Sequence, residues 1–554
     1  MTKNLFLMLL ACIFSFNASA KDVENVKEVK NVILMIPDGC SLATISTARW
    51  YQWCKDSEKP NLAIDPYICG VVRTTCSNAP IGDSAPTTSC YMTGYNSLAG
   101  WVSTYPTSSN ENDIYPMDST RAYQPLATVL EAARMLKGKA TGLVSTCYFP
   151  HATPADCSSH SYNRNKYDDI ASQQVHNALD VVMGGGGKYM TDAHKQYLTS
   201  KGYTVISKDV NAMRSCTNNK MWAQFASGDM TNDMERDNSK EPSIAEMTEV
   251  AIKKLSANPN GFFLMVEGSK VDYSAHANDP VGMVTEYLAF DKACAVALEY
   301  AKKLGNTAVV ILADHGNSGI SIGRRDWGSY SRDSKQKVFG ALCNYKATAD
   351  EMAAKVNRTP FENVQSVFKE WLGFELNEKE LEALKYNREY KQSPIPEQER
   401  KEHKSTLYSS GLVRMIGQFM TERTGLAFTT NGHTGEDVIL SAYHPESSSL
   451  PVGMHTNMEI NHYLCNLNGI THDNLDQLTS EIFAKHTDVF SGLKYTVENR
   501  VLTVKKGKKT LHITPNTNIV SINGEDIELN SVIVYVDKNN TFYLPQSLRD
   551  LLNK

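Results

Sequence analysis

NVILMIPDG, residues 31–39, decides the fold class of this chain. Its first part, Asn31-Val32-Ile33-Leu34-Met35-Ile36, is apolar after the asparagine, with no polar residue alternating into it. A strand with one wet face alternates; a strand covered on both faces need not. Three further runs read the same way: Gly261-Phe262-Phe263-Leu264-Met265-Val266, Thr307-Ala308-Val309-Val310-Ile311-Leu312 and the shorter Thr141-Gly142-Leu143-Val144-Ser145. Helical patterns lie between them, expected over Pro125 to Leu136, Ile244 to Ser256 and Val281 to Leu304. The predicted class is α/β, a mostly parallel sheet flanked by helices on both faces. Gly184 to Gly187 lacks the Lys-Ser/Thr of a phosphate loop and is read as a turn.

The rest of the 554 residues sets bounds on this picture. The length allows a large core and more than one domain. With 41% hydrophobic and 21% charged residues the composition is globular, and a net charge of −5 without a basic stripe argues against nucleic acid binding. At the N-terminus Lys3 precedes the apolar Leu5 to Phe16, interrupted only by Ser15, and Ala18-Ser19-Ala20 is a small-x-small site. Residues 1–20 therefore read as a signal peptide cleaved after Ala20, too short for a membrane span. A lipid-modified Cys12 is disfavoured by Leu10, where a small residue is usual. No later run spans a bilayer, so the mature chain is expected to be periplasmic or secreted. Eleven of the 12 cysteines follow the signal, an odd number that leaves at least one thiol free.

Residues 350–425 read as an insertion, with Asn363 to Tyr408 charged and helical apart from Ser393-Pro394-Ile395-Pro396. After about Phe490 the pattern changes to short strands: Tyr495-Thr496-Val497, Val501 to Val504, Ile519 to Ile522 before Asn523-Gly524, and Ser531 to Val536. A helix over Gln546 to Leu552 closes what is expected to be a small α+β domain, 490–554.

The acids and histidines fall where such a sheet binds ligands, at the carboxyl ends of strands. Asp38 follows the first run, Glu267 the second and Asp314-His315 the third; Asp272 and His276 come just after Glu267, and His433 lies in Asn431-Gly432-His433-Thr434-Gly435. Each has a bland alternative: an Asp-Gly turn, a solvated Asp–His pair, a loop histidine. Together, three histidines and four carboxylates suit zinc, with a harder ion such as magnesium on the all-oxygen side. IGDSAPTTSCYMTG, residues 81–94, offers five aliphatic hydroxyls as nucleophiles, but also reads as a helix start.

The pieces NVILMIPDG, GDSAPTTSCYMTG, VSTCYFPHATPADCSSHSYNR, FFLMVEGSKVDYSAH, VVILADHG and NGHTG occur in this order between Asn31 and Gly435. On them the chain resembles the alkaline phosphatase family, with the domain expected over 21–489. The resemblance implies that Asp272, His276 and His433 bind one zinc. Asp38, Asp314 and His315 bind a second, which the nucleophile Ser84 reaches. Asp38, Thr153 and Glu267 bind a third ion, usually magnesium, and Arg164 binds phosphate. It thus implies two Zn2+ and one Mg2+ per subunit, and a homodimer. Asp83 is expected to orient Arg164 or its loop. His151 stands where the family has Asp or His, and Tyr273 where Lys, His or Trp is more familiar, so the third ion is left open. His160 is read as structural support and Cys40 as a packed residue.

The activity implied is hydrolysis of phosphate monoesters through a phosphoserine on Ser84, with broad specificity. Two metals ~4 Å apart stabilise both the entering and the leaving oxygen of phosphoryl transfer, and arginine offers two phosphoryl oxygens a planar fork. The alternatives are a phosphodiesterase or sulfatase of the same superfamily, or a non-catalytic metal- or phosphate-binding protein. The sulfatase arginine is missing after both Cys76 and Ser84, while Arg164 and Glu267 favour the monoesterase. The C-terminal ITPNTNIVSINGEDIELNSVIVYVDKNNTFYLPQSLRDLLN resembles the small N-terminal-like domain of copper amine oxidases. Residues 490–554 hold one histidine, His512, so the resemblance implies attachment or structure, not redox chemistry.

Overall fold

Asn31–Pro37 is a strand, and all seven of its residues are buried. In the computed structural model, which describes residues 26–327, 332–390 and 411–553, it lies in the middle of a ten-stranded sheet. Numbered along the chain, the strands are β1 (Asn31–Pro37), β2 (Ile68–Arg73), β3 (Ala140–Tyr148), β4 (Val181–Gly185), β5 (Thr204–Ser207), β6 (Met221–Gln224), β7 (Phe262–Gly268) and β8 (Thr307–Leu312). Four short strands follow, β9 (Gly316–Asn317), β10 (Ile320–Ile322), β11 (Leu426–Phe428) and β12 (His433–Thr434), before β13 (Val438–Tyr443) and β14 (Gly453–Thr456). The sheet order is β14-β2-β13-β8-β1-β7-β3-β4-β6-β5. β13 runs antiparallel to both neighbours. The other pairings in this sheet are parallel.

The apolar runs lie in β1, β7 and β8, which are neighbours, each buried along its whole length. That is the position in which a strand needs no polar face, because helices cover both sides. Helix Pro280–Leu304 packs on Ile244–Leu255 and Leu42–Lys55, while Ser84–Thr93 packs on Asn457–Leu467 and Ala152–Asp156. The expected helices at 244 and 281 are present as Ile244–Leu255 and Pro280–Leu304. The one expected from Pro125 starts later, at Val129, because Thr128 and Glu131 close a capping box there. Gly184 and Gly185 belong to β4; the turn begins at Gly186, with φ +100°.

A helical block interrupts the chain between β10 and β11, which pair with each other. It comprises Lys335–Asn344, Ala349–Arg358, Val364–Leu372, Glu378–Tyr390 and Leu412–Thr421. It begins before residue 350, since Lys335–Asn344 belongs to it. Residues 1–20 and the segment Ser393 to Pro396 lie outside the described residues. Among the described residues no helix is long and apolar enough to cross a membrane.

From Lys494 the chain forms a five-stranded antiparallel sheet, Lys494–Glu498, Val501–Lys506, Lys509–Ile513, Ile519–Ile522 and Glu525–Glu528. Lys509–Ile513, Glu525–Glu528 and Thr541–Leu544 are strands that apolar patterning missed; they are short, the first has polar Thr510 and His512 on its outer face, and the second is largely acidic. Ser531 to Ile533 is not strand, and the last helix is the shorter Leu548–Leu551. Phe490, Leu502, Val504, Leu511, Val520 and Phe542 share an apolar cluster of their own. This unit leans on helix Tyr167–His176, where Arg500 Nη2 donates to Asp169 at 2.9 Å and Ser172 Oγ to the Asn516 carbonyl at 2.7 Å.

Candidate active site

Parallel pairing brings the acids together. Ile36 is opposite Glu267 and Pro37 opposite Gly268, so Asp38, one residue beyond β1, stands beside Glu267, which is still within β7. Asp314 and His315 leave the end of β8 on the other side of β1. The chain then turns into β9, whose Asn317 pairs with His433 of β12. Asp272 and His276 share helix Lys270–His276, four residues apart and hence on one face. Gly39 turns the chain after Asp38 at φ +61°, and a Cβ there would sit 2.3 Å from Asp272 Oδ1. Glycine is needed both for the conformation and for the close approach.

Asp272, His276 and His433 form one group. The Nε2 atoms of the two histidines are 3.1 Å apart; Asp272 Oδ2 is 3.4 Å from His276 Nε2, and Oδ1 3.7 Å from His433 Nε2. His276 Nδ1 sits 2.8 Å from the Asn431 carbonyl and His433 Nδ1 2.8 Å from the Gly82 carbonyl. A carbonyl only accepts, so both Nδ1 atoms carry a proton and the two Nε2 atoms are left facing each other. That is the tautomer of metal-binding histidine with its second nitrogen held by the backbone. Asn317 Nδ2 donates to Asp272 Oδ1 at 2.6 Å. Burial pushes the Asp272 carboxyl up, but the imidazoles of His276, His315 and His433 outweigh it and hold it below the usual carboxylate range.

Asp38, Asp314 and His315 form the second group, all fully buried. His315 Nε2 lies 3.5 Å from Asp38 Oδ1 and 3.5 Å from Asp314 Oδ2. Asp314 Oδ1 accepts the backbone N–H of Gly39 and of His315, both at 3.0 Å, whereas Asp314 Oδ2 and Asp38 Oδ2 are buried without a hydrogen-bond partner. Burial and the charges of Asp314, Asp272 and Glu267 raise the Asp38 carboxyl well above its ordinary range. Buried carboxylates of like charge with oxygens left unpaired fit a divalent cation better than they fit one another.

Ser84 is the first residue of helix Ser84–Thr93 and is 2% exposed. Its Oγ is 3.3 Å from Asp38 Oδ1 and 3.2 Å from His315 Nε2. Asp83 has the side chain of a helix cap but does not cap: Oδ1 accepts from Arg164 Nη1 at 2.6 Å and Oδ2 from the Gly100 N–H at 2.8 Å. Burial works against the Arg164 charge, but Asp83, Asp38 and Asp156 overcome it and raise its pKa. Among the other hydroxyls of the stretch, Thr87 donates to the Asp83 carbonyl, Ser89 to Asp156 and Thr93 to the Ser89 carbonyl.

Thr153, on helix Ala152–Asp156, and Glu267 are fully buried, and Thr153 Oγ1 and Glu267 Oε1 lack hydrogen-bond partners. His151 Nε2 accepts from Arg164 Nη2 at 3.1 Å; burial and that guanidinium depress the imidazole to about 3. Tyr273 meets the His151 ring edge-on at 5.7 Å and donates to Asp229 Oδ1 at 3.4 Å. Sequence reasoning passed over Cys147, whose Sγ is 3.3 Å from Glu267 Oε2. The signal was present in its position: it lies near the carboxyl end of β3, which runs on to Tyr148, past the expected end at Ser145. It also passed over Asn317. His160 is buried between Glu131 Oε1, at 3.2 Å, and the Ser103 carbonyl, at 3.1 Å; the run from it to Arg164 is not helical. Cys40 is packed in the apolar core.

A buried hydroxyl at a helix start, an arginine held beside it, and carboxylate and imidazole groups converging on strand ends define a metal-dependent hydrolase site. A family model described as alkaline phosphatase matches residues 29–470. Alkaline phosphatase 3 of Bacillus subtilis (strain 168) is 32% identical over 462 residues, 80% of this chain and 90% of that protein. The cold-active alkaline phosphatase of a psychrophilic Shewanella superposes with a TM-score of 0.66 at 26% identity, over 79% of this chain and 99% of its own. The Thermus thermophilus alkaline phosphatase, at 19% identity, shares the fold with a TM-score of 0.68 over 84% of this chain and 98% of its own. The chain belongs to the alkaline phosphatase family.

Proposed function

We propose that the chain hydrolyses phosphate monoesters to an alcohol and inorganic phosphate through a phosphoserine on Ser84. The observation that carries the reading is the Ser84 hydroxyl, 3.2 Å from His315 Nε2 and 3.3 Å from Asp38 Oδ1 at the start of a helix. A protonated hydroxyl is a weak nucleophile, and Asp38 and His315 place it beside the position where a cation they would hold favours its ionised form. The helix start adds backbone N–H groups and a favourable dipole for an incoming dianion. Asp83 and His151 hold Arg164 in place, where its planar guanidinium is poised to meet two phosphoryl oxygens.

In the first step the Ser84 oxygen bonds phosphorus as the bond to the ester oxygen breaks, and the alcohol leaves with a proton. In the second, a water oxygen bonds phosphorus, the bond to Ser84 breaks, phosphate departs and Ser84 regains its proton. Asp272, His276 and His433 would hold one zinc, Asp38, Asp314 and His315 a second, and Asp38, Thr153 and Glu267 a third ion, magnesium where oxygen donors alone decide. When bound, these ions supply positive charge against the entering, leaving and equatorial oxygens. The groups named all address the phosphoryl end, which supports broad specificity for the alcohol.

Steady-state rates on a phosphate monoester, a phosphate diester and a sulfate ester test the reading. The monoester is expected to be fastest, and faster turnover of either other ester overturns it. We also read the protein as exported, with cleavage after Ala20, and as a homodimer; N-terminal sequencing and light scattering check these. Residues 490–554 are read as a copper-amine-oxidase-N-terminal-like unit without redox chemistry. Deleting them is expected to leave the chemical step intact.

A further inference from the structure

A sulfur stands among the oxygens of the third ion's position. Cys147 is fully buried, and its Sγ, one ring nitrogen of His151 and a Glu267 carboxylate oxygen all lie within 4.8 Å of one another. Glu267 Oε1, Thr153 Oγ1 and His151 Nδ1 are buried there without hydrogen-bond partners. A thiol sulfur thus shares one small space with the Glu267 carboxylate, and an all-oxygen site is not what these residues build. Magnesium demands octahedral oxygen ligands and keeps several waters. A thiolate selects a softer ion, and zinc accepts sulfur and oxygen ligands in one tetrahedral set.

We propose that Cys147 is a ligand of the third ion, and that in this chain the position bounded by Asp38, Thr153, Glu267 and Cys147 takes zinc rather than magnesium. This rests on the reading of Asp38, Thr153 and Glu267 as a metal site. Binding replaces the Cys147 thiol proton with the metal, and the proton is released to solvent. His151 gives its Nε2 to Arg164, so its Nδ1 carries the proton. The ring therefore serves the site as a hydrogen-bond donor, towards the thiolate or a bound water, and couples it to the arginine. Tyr273 adds no ligand of its own, since its hydroxyl is turned to Asp229.

The test is metal analysis of the purified chain equilibrated with zinc and excess magnesium, beside X-ray absorption at the zinc edge and the optical spectrum of the cobalt-substituted protein. The expected result is a third zinc per chain, a zinc–sulfur distance of about 2.3 Å, and a thiolate-to-cobalt band in the near ultraviolet. Cys147→Ser is expected to remove the band and the sulfur scattering and to weaken the third zinc roughly tenfold or more, with magnesium taking its place. Cys40→Ser, at a packed thiol nearby, is expected to change none of these. Two zinc and one magnesium in the wild type, with no sulfur scattering and no thiolate band, overturn the proposal while leaving the two-zinc reading intact. Absence of zinc at the other two positions overturns that reading instead.

Discussion

The Nε2 atoms of His276 and His433 are 3.1 Å apart, and the Nδ1 of each is held by a backbone carbonyl, of Asn431 and Gly82 respectively. Two lone pairs at that distance repel unless a proton or a metal ion lies between them, and with Asp272 beside both nitrogens the group suits a metal ion. Replacing His433 by alanine is therefore expected to remove one zinc per chain and lower kcat/KM by about 10²-fold or more, beyond the 10–100-fold typical of residues behind a ligand. Metal analysis and steady-state kinetics check it. Full zinc content in the variant would refute the ligand role.

Ser84→Ala keeps the metal-facing carboxylates and imidazoles but removes the hydroxyl. It is expected to retain zinc and lose about 10³-fold or more in kcat, with no phosphoenzyme trapped on acid quenching. Activity near wild type would require another nucleophile.

Asp83 grips one arm of Arg164 at 2.6 Å and the Gly100 N–H at 2.8 Å. Arg164→Lys is expected to raise KM for a phosphate monoester and weaken inhibition by inorganic phosphate about tenfold or more, since ammonium cannot present two parallel donors. Asp83→Asn is expected to do less in the same direction. Inhibition titrations with phosphate compare the two.

Gly39→Ala places a methyl group 2.3 Å from Asp272 Oδ1 at a backbone φ of +61°. The expected outcome is lost stability, about 1 kcal/mol or more from the backbone alone, together with reduced zinc content as Asp272 is displaced. Thermal melts with and without a chelator separate the two effects.

Glu286 is fully buried, and burial pushes its carboxyl up to about 7, against the pull of Lys270. Its folded pKa is raised above the unfolded value, so its stabilising contribution is present below about pH 4.5 and is lost as pH rises through about 7. Gln at this position still accepts the Asp233 N–H, which Glu286 takes at 2.7 Å, without the buried charge. Glu286→Gln is therefore expected to gain Tm relative to wild type between pH 5 and pH 8, by up to about 3 kcal/mol in stability. A difference independent of pH would show that Glu286 is not ionising there.

Much of the centre of the molecule is legible in the sequence. The runs at β1, β7 and β8 are apolar because they are the three adjacent central strands, and strand ends are where acids can be tolerated and used. Patterning was weaker where burial is partial. Lys509–Ile513, with Thr510 and His512 on its outer face, and the acidic Glu525–Glu528 went unread, and the helix expected from Pro125 was cut short by the Thr128 cap.

Local order along the chain thus carries residue type, strand ends and the candidate ligands, because a buried parallel strand needs an unbroken apolar run. It does not carry distances across the sheet. Cys147 and Glu267 are far apart in sequence and 3.3 Å apart in the fold, and Asp83, a natural cap by type, gives its carboxylate to Arg164. Those facts depend on strand order and register, which are set by packing over the whole sheet. A residue's neighbours on other strands, not its neighbours in the chain, choose between cap and clamp, or between packed thiol and ligand.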